Sequence, residues 1–261
     1  MDTHINRNSI ERMTWHEVAL RIGGGAGAIL PIGSAAKQHG LHLPLGTDRV
    51  QAEWLADRIA DHIDALIWPT VTYGHYPAFV EYAGSASLTE ALFQAMVHEI
   101  VAGIVNHRCR AVLVLDTGIS TLAPVERALA SLDSGDVLHL RIHQGPRYRR
   151  AASELAGQSH GSHADELETS LMLALAPHLV DMARAEASPA VTREVRGRLT
   201  PSDAASPNYS RSGSYGDPTL ATRAKGDVLL AAMIDDLNEQ AAAFVAERVN
   251  KAPGVTRSVS R

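Results

Sequence analysis

The chain has one cysteine in 261 residues, no apolar run near the roughly 18 to 20 residues of a membrane span, and no surplus of positive charge. Each shortage excludes something. Cys109 cannot close an internal disulfide, which fits a reducing compartment, and its apolar neighbours mark a small buried side chain rather than a nucleophile. With 24 Lys and Arg against 29 Asp and Glu, a net charge of -5 makes nucleic acid and acidic lipid poor partners. The N-terminus, with Asp2, Arg7, Glu11 and Arg12, lacks a signal-peptide core, so no membrane association and a cytoplasmic location are expected. The length suits one sizeable α/β domain with a well-buried core, expected over residues 1–261 with an ordered part from about 12 to 250, and no internal repeat is evident.

What is present in excess is histidine, 13 in all, and the clusters matter more than the number. Pro31 to Asp48 places His39, His42 and Asp48 within ten positions of each other in a stretch that also holds Gly33, Gly40 and Gly46. Imidazole and carboxylate in a loop that can fold back suit zinc, manganese or iron. Lys37, two residues before His39, is a protonated amine that cannot ligate a cation. A second cluster, Ser159 to Ser170, holds His160, His163, Asp165, Glu166 and Glu168 at an expected helix start, where acids also favour the helix dipole.

Apolar patterning gives the frame. Ala28–Ile32, Ala65–Pro69, Ala111–Leu115 and Val137–Ile142 read as strands whose apolar residues do not alternate. Helices are expected over Val50–Leu66, from a Ser87 cap with Glu90 as capping box to Val105, over Glu166–Leu179 and over Leu220–Val249. Strands separated by helices predict a three-layer α/β/α domain with a mostly parallel sheet. Ligands bind at the carboxyl ends of such strands, which would bring the loop after Ile32, the Tyr73 to His75 segment and the loop after Leu115 to one rim. Residues 196–219, rich in Ser, Pro and Gly, should form a long loop, and residues 252–261 a frayed tail.

The first loop resembles the signature Gly-Ser-x-Glu-Gln-His-Gly-x-His-Leu-Pro-Leu-Gly-Thr-Asp of the creatininase (creatinine amidohydrolase) family. His163 to Ser170 is similar to the family's His-Ala-Gly-Glu-x-Glu-Thr-Ser, and Gly213 to Gly226 to its Gly-x-x-Gly-Asp-Pro-x-x-Ala-Thr-x-x-Lys-Gly element. The resemblance implies a two-metal amidohydrolase. Carried over by position, it implies that His39, Asp48 and Glu166 hold one divalent ion, that His163 serves acid/base chemistry, and that Glu168 supports the ligands. It also implies that Lys37 stands where a first-site Glu belongs, and Thr117, after Asp116, where a first-site His belongs. Both departures fall on the first metal.

The expectation is therefore a metal-dependent hydrolase of a carbon–nitrogen bond in a small linear or cyclic amide, with one Zn, Mn or Fe ion and Lys37 and His163 as catalytic groups. His42, Tyr73, His75, Thr117 and Asp116 are candidates for substrate contact or ligand support. Two alternatives stay open: a metal-dependent enzyme of another class, and a metal-free family member that binds or scaffolds. The resemblance further implies a homo-oligomer, a hexamer in the family.

Overall fold

In the computed structural model, described over residues 7–132, 135–188 and 197–251, four parallel strands form one sheet in the order β2-β1-β3-β4. They are β1 (Gly27–Ile32), β2 (Ala65–Ile67), β3 (Val112–Asp116) and β4 (Val137–Arg141). The sheet is covered on both faces. Ile29, Leu113, Leu115 and Leu140 point to a core completed by α2 (Thr47–Ile63), α5 (Pro146–Leu155), α6 (Glu166–Leu175) and α7 (Arg223–Lys251). Ala28, Leu30, Val112 and Val114 point the other way, against α3 (Glu90–Asn106) and α4 (Leu122–Ala130). Burial on both faces explains why β1, β2 and most of β3 are apolar without alternation, whereas the edge strand β4 carries His139 and Arg141 and is only partly buried. The remaining helix, α1 (Trp15–Gly23), precedes β1 and begins with a Thr14–Glu17 capping box.

Two glycines set the distances that place the site. A Cβ on Gly33 would lie 2.5 Å from the Asp48 carbonyl oxygen, so only glycine lets the start of α2 press against the end of β1. A Cβ on Gly226 would lie 1.8 Å from the Ser170 carbonyl oxygen, so α7 crosses α6 in backbone contact.

Several boundaries differ from the sequence reading. The cap of α3 is Thr89, whose hydroxyl accepts from Leu92 N, while Ser87 Oγ accepts from Tyr76 N and donates to Leu88 O. Helix α6 stops at Leu175 because Pro177 brings no N–H and biases Ala176 out of the helix; a separate 3-10 turn covers Pro177–Leu179. Helix α7 begins at Arg223, behind a 3-10 turn at Pro218–Leu220. Residues 252–261 and residue 196 lie outside the described residues. No helix among the described residues is long and apolar enough to cross a membrane.

Candidate active site

The loop from Gly33 to Gly46 folds back so that its lysine and histidine meet the first turn of α2. Lys37 Nζ lies 2.7 Å from Asp48 Oδ2, and His39 Nε2 lies 3.0 Å from Asp48 Oδ1. All three are buried. Burial works against charge on Lys37, but the carboxylates of Asp48 and Glu168 outweigh it and hold the ammonium above its ordinary range. Burial likewise opposes the Asp48 carboxylate, and Lys37 and His39 more than offset it, keeping its pKa well below the usual carboxylate range.

The ring nitrogens can be assigned from their partners. His39 Nδ1 faces the Lys37 carbonyl oxygen at 2.9 Å, an acceptor, so this nitrogen carries a proton and donates. Its Nε2 then points at two carboxylate oxygens, Asp48 Oδ1 and, at 3.7 Å, Glu168 Oε1. A lone pair facing two carboxylates needs a proton or a cation between them. His163 repeats the pattern from the other side: Nε2–H donates to the Gln38 carbonyl at 2.8 Å, leaving Nδ1 3.9 Å from Glu168 Oε2. His39, His163 and Glu168 thus converge, each offering one donor atom within 4.8 Å of the others. The donor set fits a divalent metal of the zinc or manganese type.

His163 is clamped by Phe79, ring centroids 4.1 Å apart, and by His39 at 4.9 Å. Burial is the chief reason its pKa lies well below the ordinary histidine value, with Lys37 and His39 adding to it, so the ring is neutral near pH 7. A cavity of about 390 Å³ opens over the cluster, walled by Lys37, Asp48, Phe79, Thr117, His163 and Glu168.

The other expected residues go elsewhere. Glu166 is fully buried but turned away: its carboxylate accepts from Gly157 N and Gln158 N and pairs with Lys225 Nζ. Glu168, two residues on, is the acid beside His39, with Oε2 also accepting from Ala164 N at 2.6 Å. Thr117 lines the cavity, yet its hydroxyl donates to Ile32 O at 3.1 Å. Asp116 holds its own loop, accepting from Gly118 N, Thr121 Oγ1 and His139 Nε2. His75 donates from Nδ1 to Leu88 O, and Tyr73 is 53% exposed; neither lines the cavity.

Four lining or supporting residues carry no signal the sequence reading used: Gln38, Phe79, His143 and Tyr148. His143 follows β4 and Tyr148 lies in the first turn of α5, so extending the rim argument to the fourth strand would have reached both.

His42 packs into the fold instead of the cavity. Its Nε2 meets Thr169 Oγ1 at 2.8 Å, its Nδ1 is buried without a hydrogen-bond partner, and burial pushes its pKa from 6.5 down to about 4. A base whose folded pKa lies below its unfolded value stabilises the fold above the unfolded pKa, and that stability is lost as pH falls through 6.5 toward 4. Urea melts across this interval should show a loss of about 2 to 3 kcal/mol, flattened in His42→Gln. An identical slope in wild type and variant would exclude His42 as the titrating group.

Comparison with known proteins identifies the family. Residues 11–241 match the Creatininase family, described as creatinine amidohydrolase. The chain is similar to a creatinine amidohydrolase of Pseudomonas putida, 26% identical with 87% of this chain and 94% of the relative covered. It is also similar to a mycofactocin precursor peptide peptidase of Mycobacterium tuberculosis, 31% identical over 80% of this chain and 81% of the relative. Among solved structures, one described as creatininase with Mn superposes with a TM-score of 0.76 at 25% identity, covering 92% of this chain and 98% of that one. With its signature loop, its α/β/α sheet and a match across most of its length, the chain belongs to the creatininase family.

Proposed function

We propose that this chain hydrolyses a carbon–nitrogen bond of a small amide with the help of one divalent ion held by His39, Asp48 and Glu168. The observation that carries this reading is His39 Nε2 facing Asp48 Oδ1 at 3.0 Å and Glu168 Oε1 at 3.7 Å beneath an open cavity, with His163 Nδ1 on the far side of Glu168, 3.9 Å from its Oε2. A divalent ion so placed supplies Lewis acidity and a nucleophile at neutral pH. The protein's own groups do the rest. Lys37 gives Asp48 one hydrogen bond and lines the cavity with its ammonium, where a substrate carbonyl oxygen and the negative charge it develops can be met by N–H donors. His163, neutral and fixed between Phe79 and His39, takes a proton at Nδ1 as water adds to the carbonyl carbon and returns it to the nitrogen as the C–N bond breaks.

In this reading Lys37 is a covalently attached cation in place of a second metal, and Glu168, rather than Glu166, is the metal-binding acid. Metal analysis of protein purified without chelator, followed by a screen of cyclic and linear amides, tests it. About one equivalent of transition metal per chain and metal-dependent release of amine or ammonia are expected. Less than about 0.2 equivalents, with no rebinding, would sink the proposal. One observation favours the metal-free alternative: Lys37 and His39 between them already compensate Asp48, so the loop is charge-balanced as it stands. The same measurement decides between the two.

The placement of Glu166 gives an independent check. Glu166→Gln should leave metal content unchanged, whereas Lys225→Met should cost about 3 kcal/mol of unfolding free energy, because a buried carboxylate loses the cation it pairs with, also without metal loss. Loss of metal in a folded Glu166→Gln protein would return that residue to the ligand set.

A further inference from the structure

Next to the cavity over the metal-binding cluster, a second recess of about 220 Å³ opens beyond the carboxyl ends of β3 and β4, and the two share Gly118, Ile119 and His143. Their charges are opposite. The first is lined by the carboxylates of Asp48, Asp165 and Glu168 against the single ammonium of Lys37. The second is lined by Arg141 and Arg149 against Asp116, whose oxygens are already engaged by Gly118 N, Thr121 Oγ1 and His139 Nε2.

The two arginines are held differently. Arg141 is fixed in place, with Nε donating to His139 Nδ1 at 3.3 Å and Nη2 to Glu126 Oε1 at 3.1 Å. Arg149, in the first turn of α5, makes no ion pair or side-chain hydrogen bond among the described residues. Nor does the helix end add a competing anion site, because Asp236 accepts from the amides of Arg147 and Tyr148. A guanidinium without a partner among the described residues, lining the same recess as a second one locked in position, can meet a carboxylate bidentately, whereas the acid-rich first cavity repels one.

We propose that this site takes amides that carry a carboxylate at the end remote from the scissile bond, with Arg149 and Arg141 reading the anion. The inference rests on the proposed hydrolase reading, since it assigns the amide end to the Lys37 side of the cavity. The charge asymmetry fixes the direction of binding: an anionic end placed against Glu168 and Asp48 would meet like charge, and the same end placed against Arg149 would not.

The test uses the metal-loaded full chain and the monoamides of four-, five- and six-carbon dicarboxylic acids, each against the neutral straight-chain amide of the same length. Hydrolysis of a monoamide consumes one water and gives the dicarboxylate and ammonia. For at least one length, kcat/KM should be higher for the anionic amide by about tenfold or more, through KM. Arg149→Ala should erase that preference, Arg149→Lys should restore part of it, and Arg150→Ala, a neighbouring charge that does not line the recess, should change neither the preference nor the rates. Calorimetric titration with the same monoamides gives a readout free of turnover. Binding that depends on Arg149 without hydrolysis of any amide would uphold the inference and defeat the hydrolase reading. Hydrolysis with no preference for charge, or a preference that survives Arg149→Ala, would overturn the inference alone, and neither binding nor hydrolysis would overturn both.

Discussion

Glu168→Gln is expected to lower metal affinity by more than about 100-fold, beyond the loss typical of residues that only support a ligand, and to take turnover with it. Glutamine is the informative replacement. Its side-chain oxygen can still accept from Ala164 N, which matters because Ala164 sits at φ 46 and is held there by that bond. The amide nevertheless loses the negative charge facing His39 Nε2 and the donor atom shared with His163. Melting temperature should therefore stay near wild type while metal content in a dialysed sample falls. Alanine at 168 would confound the two effects by freeing the Ala164 amide. A Glu168→Gln protein that keeps its full metal complement would rule out Glu168 as a ligand and leave His39 and Asp48 as the anchors to examine.

The contrast between Glu166 and Glu168 shows where sequence reading stops. Successive residues on a helix are about 100° apart, so positions i and i+2 face nearly opposite ways, and one of these two acids had to turn from the cavity. Spacing alone does not say which. The phase is set by partners distant in the chain: Lys225, brought in by the backbone contact at Gly226, claims Glu166, and the Asp165 side chain caps Leu167 N and Glu168 N. By contrast, Lys37, His39 and Asp48 were legible together because glycines bracket a short loop whose folding back is local.

The same division runs through the fold. The runs of β1, β2 and β3 and the long helices between them could be read because strands buried on both faces leave a nearly unbroken hydrophobic signature, while β4, at the edge, keeps apolar residues on either side of His139 and Arg141. Helices α1, α4 and α5 leave no apolar run of comparable length, although two carry usable signals. Thr14 and Glu17 form a capping box, and Pro146 stands at the first helical position after Gly145. Missing α5 meant missing Tyr148 and the arginine face that closes the second recess.

Lys37→Met is expected to be the most damaging single change to stability in the site. It removes the ammonium 2.7 Å from Asp48 and leaves that buried carboxylate with His39 alone, next to Glu168. Breaking a buried pair by deleting one partner costs about 3 to 5 kcal/mol, because the surviving charge keeps its desolvation penalty. For a chain of this size that corresponds to a fall of roughly 10 °C in melting temperature for metal-free protein. Added divalent metal should recover part of the loss, since Asp48 and Glu168 then compensate a bound cation in place of the ammonium, and recovery should grow with metal concentration as linkage requires. Turnover should not recover with stability. If the ammonium meets the charge developing on the substrate carbonyl, its absence costs about 100-fold or more in kcat even at saturating metal. Lys37→Arg keeps the charge but not the compact fit, so it should retain much of the stability and little of the activity. Thermal melts with and without metal, paired with single-turnover rates, separate these effects. A Lys37→Met protein with unchanged melting temperature and full activity would mean that the ammonium neither replaces the missing metal nor touches the substrate.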